Sequence, residues 1–247
     1  MSVVNKQAYI KVDWPAPSHV KAYATTRLGG VSESQFSSNN LALHVNDDEK
    51  KVALNRKSLI KKLGLPGAPH WLNQTHSTNV VNATSDNIDA DASYVKTQNV
   101  VCAVMTADCL PILLCDKKGS QIAAIHAGWR GLLNGIIENA VKMFSVNGAE
   151  ILVWLGPAIG PNAFEVGQDV RDLFVGQDPN NSDAFKESGP EKWLADIYAL
   201  ARIRLKNLDV NSIYGGDMCT YTEASRFYSY RRDRETGRMA SLIWLDK

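Results

Sequence analysis

Three side chains in this sequence have the types and local settings that chemistry at a site requires. Cys109 lies in Thr106-Ala-Asp-Cys-Leu-Pro111, and His126 follows it by 17 residues at the head of His126-Ala-Gly-Trp-Arg-Gly131. His76 lies 33 residues before the cysteine, in Asn73-Gln-Thr-His-Ser77. One thiolate and two imidazoles can hold a divalent metal and leave a fourth position open, which separates a catalytic zinc site from a closed structural one. Taken singly, the same residues also fit a cysteine packed as a small core residue and histidines hydrogen-bonded for structural reasons. The two spacings match no compact zinc-finger pattern.

Cations suited to an anionic substrate lie near these motifs. Arg130 is expected in the first turn of a helix, where free backbone N–H groups and the dipole already favour an anion. Arg27 stands beside a glycine pair in Thr25-Thr-Arg-Leu-Gly-Gly30, and Tyr230-Arg-Arg-Asp-Arg234 forms a basic turn. A solvated surface arginine is the alternative for each.

The elements that must position these residues are legible from periodicity. Val100 to Met105, Ile112 to Cys115 and Ile122 to His126 are apolar runs of strand length. Cys109 then falls in a turn between strands, and His126 at a strand end just before Gly128 and a helix start. Leu132 to Phe144 repeats with helical spacing and stops at Asn147-Gly148. Ile151 to Leu155 reads as a buried strand, and Trp193 to Leu208 as a second long amphipathic helix. Arg226 to Tyr230 and Met239 to Leu245 read as closing strands. Strands mixed with helices in irregular order predict a mixed sheet with helices outside it.

Composition narrows the class of function. The 247 residues are 45% apolar and 21% charged, with a formal net charge of +1, and suggest neither a nucleic-acid nor a membrane surface. No apolar run approaches the roughly 20 residues that span a bilayer. Met1-Ser-Val-Val-Asn-Lys-Gln7 lacks the apolar core of a secretion signal, so the cytoplasm is the expected compartment. Four cysteines in apolar surroundings suggest reduced thiols rather than a disulfide framework. The phosphate loop, the dinucleotide fingerprint and the His-x-Glu/Pro-Cys-x-x-Cys deaminase signature are missing.

The motifs taken together resemble the YfiH-like laccase-domain family. The resemblance rests on Thr25-Thr-Arg-x-Gly-Gly-Val-Ser32, Asn40-Leu, His44-Val, Asp47-Asp48, Gln74-x-His76, Thr106 to Leu114, Ala124 to Gly131, Gly156-Pro-Ala-Ile-Gly-Pro161, Glu165-Val-Gly167, Cys219-Thr-Tyr221, Phe227 to Asp233 and Thr236-Gly-Arg238. It runs in order from about Ala24 to Leu245. It implies a mixed α/β (α+β) fold, a layered α-β-β-α sandwich with mixed sheets formed by one domain over residues 1–247.

The resemblance also implies a metal site on His76, Cys109 and His126, with zinc as the cofactor and copper as an alternative. The implied activity is purine nucleoside phosphorolysis on adenosine, inosine, guanosine and methylthioadenosine, with adenosine deamination as a side activity. Nucleosides and phosphate are the expected partners. Arg27 and Arg130 are then the candidates to hold phosphate, and Asn40 and His44 the candidates to contact substrate. His44 and Asp108 are candidates for proton transfer, with Asp108 alternatively a turn cap. Two other activities attach to the family: copper-dependent polyphenol oxidation and editing of peptidoglycan precursors. Without a metal, Cys109 could instead be a nucleophile activated by His126, giving a thiol hydrolase or deamidase. The chain has Ala42 and Asn46 where the family usually has glycine, and Asn162-Ala-Phe164 where Cys-Cys-Tyr is common. That leaves few ligands for a multi-copper cluster.

Overall fold

Alternation along the apolar strands decides the architecture. In the computed structural model, which describes residues 8–246, the elements run β1 (Tyr9–Lys11), β2 (Val20–Thr25), α1 (Glu49–Leu63), β3 (Val80–Asn82), β4 (Ala92–Val95), β5 (Val101–Thr106), β6 (Leu110–Asp116), β7 (Ile122–Ala127), α2 (Trp129–Asn134) and α3 (Ile136–Val141). They continue with β8 (Ile151–Leu155), β9 (Glu165–Gly167), α4 (Gln168–Gln177), β10 (Phe185–Gly189), β11 (Lys192–Ala195), α5 (Ile197–Lys206), β12 (Ser212–Gly215), α6 (Tyr230–Asp233) and β13 (Met239–Leu245). The segment read above for a secretion signal lies outside the described residues.

Two sheets stack face to face. One has six strands in the order β12-β8-β6-β7-β4-β3, parallel at its two outermost pairs and antiparallel between them. The other has four antiparallel strands in the order β1-β2-β13-β5. A small antiparallel sheet, β10-β11-β9, stands apart.

Strands β6, β7 and β8 are buried on both faces, so their residues divide by parity. Ile112 and Leu114, Ala123 and Ile125, Val153 and Leu155 pack under helices α2, α3 and α5. Leu113 and Cys115, Ile122 and Ala124, Leu152 and Trp154 face the other sheet, where they meet Ala22, Ala24, Cys102, Val104 and Ile243. The outer face of the four-stranded sheet, with Ala103, Met105, Leu242 and Trp244, is covered by Leu59 and Ile60 of α1. The order helix, sheet, sheet, helix is the layered α-β-β-α sandwich that the resemblance implied. Each fully buried leucine or isoleucine contributes about 1.5–3 kcal/mol by leaving water.

Three elements differ from the periodicity reading. The helix expected from Leu132 to Phe144 is broken at Gly135, whose φ of 97° ends α2 and restarts the chain as α3. Both pieces bury one face, which is why the spacing looked continuous. The start of the expected Trp193 to Leu208 helix is strand β11; the Asp196 carboxylate then accepts from the Tyr198 and Ala199 amides and begins α5. The expected strand from Arg226 to Tyr230 is a loop that enters α6, capped by the Ser229 hydroxyl at the Arg232 amide.

Candidate active site

The turn at 107–109 crosses from β5, in one sheet, to β6, in the other, and so opens between the layers. Cys109 sits on that turn. Two ties hold it: the Ile159 amide donates to the Asp108 carbonyl (2.9 Å), and the Asp108 carboxylate accepts from the Thr220 hydroxyl and the Arg231 amide, each at 2.7 Å. Asp108, at φ 90°, is therefore a structural cap on the first turn of α6 rather than a side chain lining the cavity.

His126 lies near the end of β7, on the face turned toward the second sheet, and is 4% exposed. Its backbone amide donates to the Asp91 carbonyl and its Nδ1 lies 2.7 Å from Asp91 Oδ1. That contact fixes the ring and turns Nε2 toward the cavity. His76 comes from the loop before β3. The same Asp91 carboxylate, wholly buried, accepts from the backbone amides of Thr75, His76 and Ser77 and from the Ser77 hydroxyl. This nest of amides holds His76 at φ 61°, a left-handed conformation uncommon outside glycine. Gln74 fastens the loop at a second point: its side-chain amide donates to the Met105 carbonyl and its oxygen accepts from the Met105 amide, both at 2.8 Å.

The three donors converge. Cys109 Sγ and His76 Nε2 are 3.6 Å apart, the two imidazoles meet edge to face with centroids 4.8 Å apart, and all three ligand atoms lie within 4.8 Å of one another. A tetrahedral ion with bonds of about 2.3 Å to sulfur and about 2.0 Å to nitrogen needs such donors about 3.6 Å apart. The donor set therefore fits a zinc or copper ion, with one position left over. Among the described residues no other group of three or more Cys, His, Asp or Glu side chains is placed to hold a metal. Gly128 makes the approach possible, since a Cβ there would lie 2.5 Å from His76 Cδ2 and 3.2 Å from Cys109 Sγ.

Charge is organised around the cysteine. Burial alone would raise its pKa, but the His126 and His76 imidazoles bring it down to about 6. Burial opposes the charged form of His126 too, yet the Cys109 thiolate and Asp91 raise its pKa to about 9. Burial likewise opposes ionisation of Asp91, and hydrogen bonds from His126 and Ser77 reverse it to about 2. Without metal the site is a thiolate–imidazolium pair backed by a carboxylate.

The triad opens into a cavity of about 360 Å³ lined also by His44, Gln74, Met105, Thr106, Tyr230 and Arg238. Burial and the Arg238 and Arg56 guanidinium groups hold the His44 pKa below its ordinary value, which leaves it neutral at pH 7. Other sequence candidates lie elsewhere. Arg27 donates to the Ser37 and Ala224 carbonyls and covers the Tyr228 ring, while Arg130 is exposed and stacks on Trp129; neither lines the cavity. Asn40 is fully buried between Ala42, Asp47 and the Arg238 amide, so it positions the chain at Arg238 without reaching the cavity.

Comparison with known proteins agrees with this picture. Residues 21–246 match the family model described as multi-copper polyphenol oxidoreductase laccase. The chain belongs to this family. It is 53% identical over 235 residues to purine nucleoside phosphorylase YfiH of Escherichia coli (strain K12), covering 94% of this chain and 96% of that one. It is 47% identical over 241 residues to a purine nucleoside phosphorylase of Haemophilus influenzae, covering 96% and 99%. A solved Neisseria meningitidis structure superposes with a TM-score of 0.94 at 51% identity, over 98% of this chain and all of that one. YlmD from Geobacillus stearothermophilus gives 0.92 at 29% identity, over 98% of each.

Residue type alone did not reveal Asp91, Gln74, Gly128 or Arg238 as parts of the site. The only sequence signal for Asp91 is a carboxylate directly before the short buried strand β4. Arg238 was visible only as the end of a motif, without a role.

Proposed function

We propose that this chain is a metal-dependent purine nucleoside phosphorylase, acting on adenosine, inosine, guanosine and methylthioadenosine, with adenosine deamination as a side activity. One observation carries the reading. A thiolate and two imidazoles leave an open position at the floor of a nucleoside-sized cavity that also holds a cation, Arg238, and a neutral imidazole, His44. The names of relatives about half identical over nearly the whole chain supply the substrate class.

In phosphorolysis a phosphate oxygen forms a bond to the ribose C1′ as the C1′–N9 bond breaks. The electron pair leaves with the purine, which takes up a proton; the products are free base and ribose 1-phosphate. His76, Cys109 and His126 would hold zinc, which when bound supplies a Lewis acid with an open position. Asp91 keeps the His126 ring turned toward the cavity. His44, neutral at pH 7, can carry the proton to or from substrate, and Arg238 offsets negative charge as it gathers. Tyr230 forms part of the cavity wall against which a nucleoside would rest.

The test is product analysis after incubating metal-assayed protein with adenosine, with and without phosphate. Adenine and ribose 1-phosphate that appear only with phosphate, vanish on chelation and return with zinc establish the reading. Absence of both adenine and inosine overturns it.

The chain of contacts Asp91–His126–Cys109 favours one rival: a thiol hydrolase or deamidase, in which the thiolate attacks and His126 returns the proton. Metal-free protein that hydrolyses amides and is inactivated by iodoacetamide would establish that rival.

A further inference from the structure

The cavity has a second, outer lobe of about 170 Å³ that shares His44, Tyr230 and Arg238 with the triad's lobe. It is lined further by Arg234, Glu235 and Thr236. We propose that this outer lobe, formed by Arg234, Thr236, Arg238 and His44, binds inorganic phosphate beside the nucleoside. The inference rests on the phosphorylase reading and assigns to these residues the anion contact expected of Arg27 and Arg130, which line neither lobe.

Four observations support it. Arg238 donates through Nη1 to the Thr236 and Gly237 carbonyls, which fixes the guanidinium while Nε and Nη2 have no partner among the described residues. The Arg234 guanidinium makes no hydrogen bond or ion pair with any described residue. Its backbone, at φ 61° and ψ −75°, is a conformation that persists only where surrounding structure imposes it. Thr236 is 1% exposed, and its hydroxyl has no partner. A buried hydroxyl without a partner is costly, and a ligand oxygen would satisfy it. Two guanidinium groups against the one carboxylate of Glu235 leave the lobe positive. Such an arrangement suits a compact oxyanion, for which guanidinium forks are well shaped. The shared wall at His44 and Arg238 brings the bound anion next to a nucleoside in the inner lobe, as attack on C1′ requires.

The experiment uses the full-length chain with and without two substitutions. Arg234 is exposed, so Arg234→Gln is expected to fold normally. Thr236→Val keeps the side-chain shape and removes a hydroxyl that bonds nothing. Inorganic phosphate is titrated in and followed by phosphorus NMR line width; KM is then measured separately for phosphate and for adenosine. Loss of a charge-assisted contact should weaken phosphate about tenfold or more in Arg234→Gln, and loss of the hydroxyl about threefold in Thr236→Val. The adenosine KM at saturating phosphate should move less than about twofold, as expected when only phosphate contacts are lost.

Unchanged phosphate affinity in both variants overturns the proposal. Phosphate binding that both substitutions weaken, in protein that fails to cleave nucleosides, upholds the lobe and removes only the phosphorylase reading. Adenosine 5′-monophosphate is titrated as a control. If Arg234→Gln weakens it while inorganic phosphate binds as before, the lobe serves a nucleotide's phosphate and the proposal falls.

Discussion

Asp91 accepts hydrogen bonds from one imidazole and from three consecutive backbone amides, so one substitution probes ring orientation and loop docking together. Asp91→Asn should weaken zinc about 10- to 100-fold, the usual effect of losing a carboxylate behind a ligand histidine. It should also lower the stability of the metal-free protein by about 2 kcal/mol, because buried donors lose their acceptor. A competition titration and a thermal melt measure the two effects; native zinc affinity would mean that something else orients His126. The pH dependence has a definite sign. The raised His126 pKa stabilises the metal-free fold fully below about 6.5, and this is lost as pH climbs through about 9. The depressed Cys109 pKa stabilises above about 9, and this is lost as pH falls through about 6. Between the two values zinc must expel one proton from His126, so its affinity should rise about tenfold per pH unit and level off above about 9. A chelator competition at stepped pH reads this slope. The ligands were legible because few residue types serve as soft or imidazole donors. Asp91 was not, because Asp89 two residues earlier has the same chemistry and only the β4–β7 register tells them apart.

Gly128 and Gly135 flank the same short helix and do different work. Gly128 has an ordinary φ of −66°, so an alanine there strains no backbone; its Cβ would instead push His76 away from Cys109. Gly128→Ala should therefore abolish or sharply weaken zinc binding while the metal-free protein melts as before. Gly135→Ala should do the reverse, lowering stability by about 1 kcal/mol at its left-handed φ and leaving zinc affinity intact. Parallel melts and zinc titrations of the two variants separate the cases. Periodicity found β5, β6, β7 and β13 because each is long and buried on both faces. It merged α2 with α3, and β11 with α5, because apolar spacing carries no record of where a glycine turns left-handed or a carboxylate caps an amide. The loop before β3 has no periodicity at all, and its shape comes from Asp91 and Gln74, which reach it from distant segments.

Across the whole molecule, the three donors come from separate stretches of chain: a loop, a turn between the two sheets, and a strand end. Metal bound to all three favours the native arrangement over the unfolded chain. Zinc at a thousandfold excess over its dissociation constant should add about 4 kcal/mol of stability, and chelation should reverse it. Calorimetry of the native chain and Cys109→Ala checks this; an equal rise in both would place the stabilising ion elsewhere. The layer order was legible from the family motifs, whereas the pairing of β13 between β2 and β5 belongs to no local pattern. That pairing leaves β5 at the border of its sheet, with the peptide groups of Met105 turned outward. There Gln74 acts as a one-residue stand-in for a missing neighbouring strand. The Met105 amide can exchange its hydrogen with solvent only when Gln74 lets go, so its exchange rate reports how often the segment bearing His76 swings free.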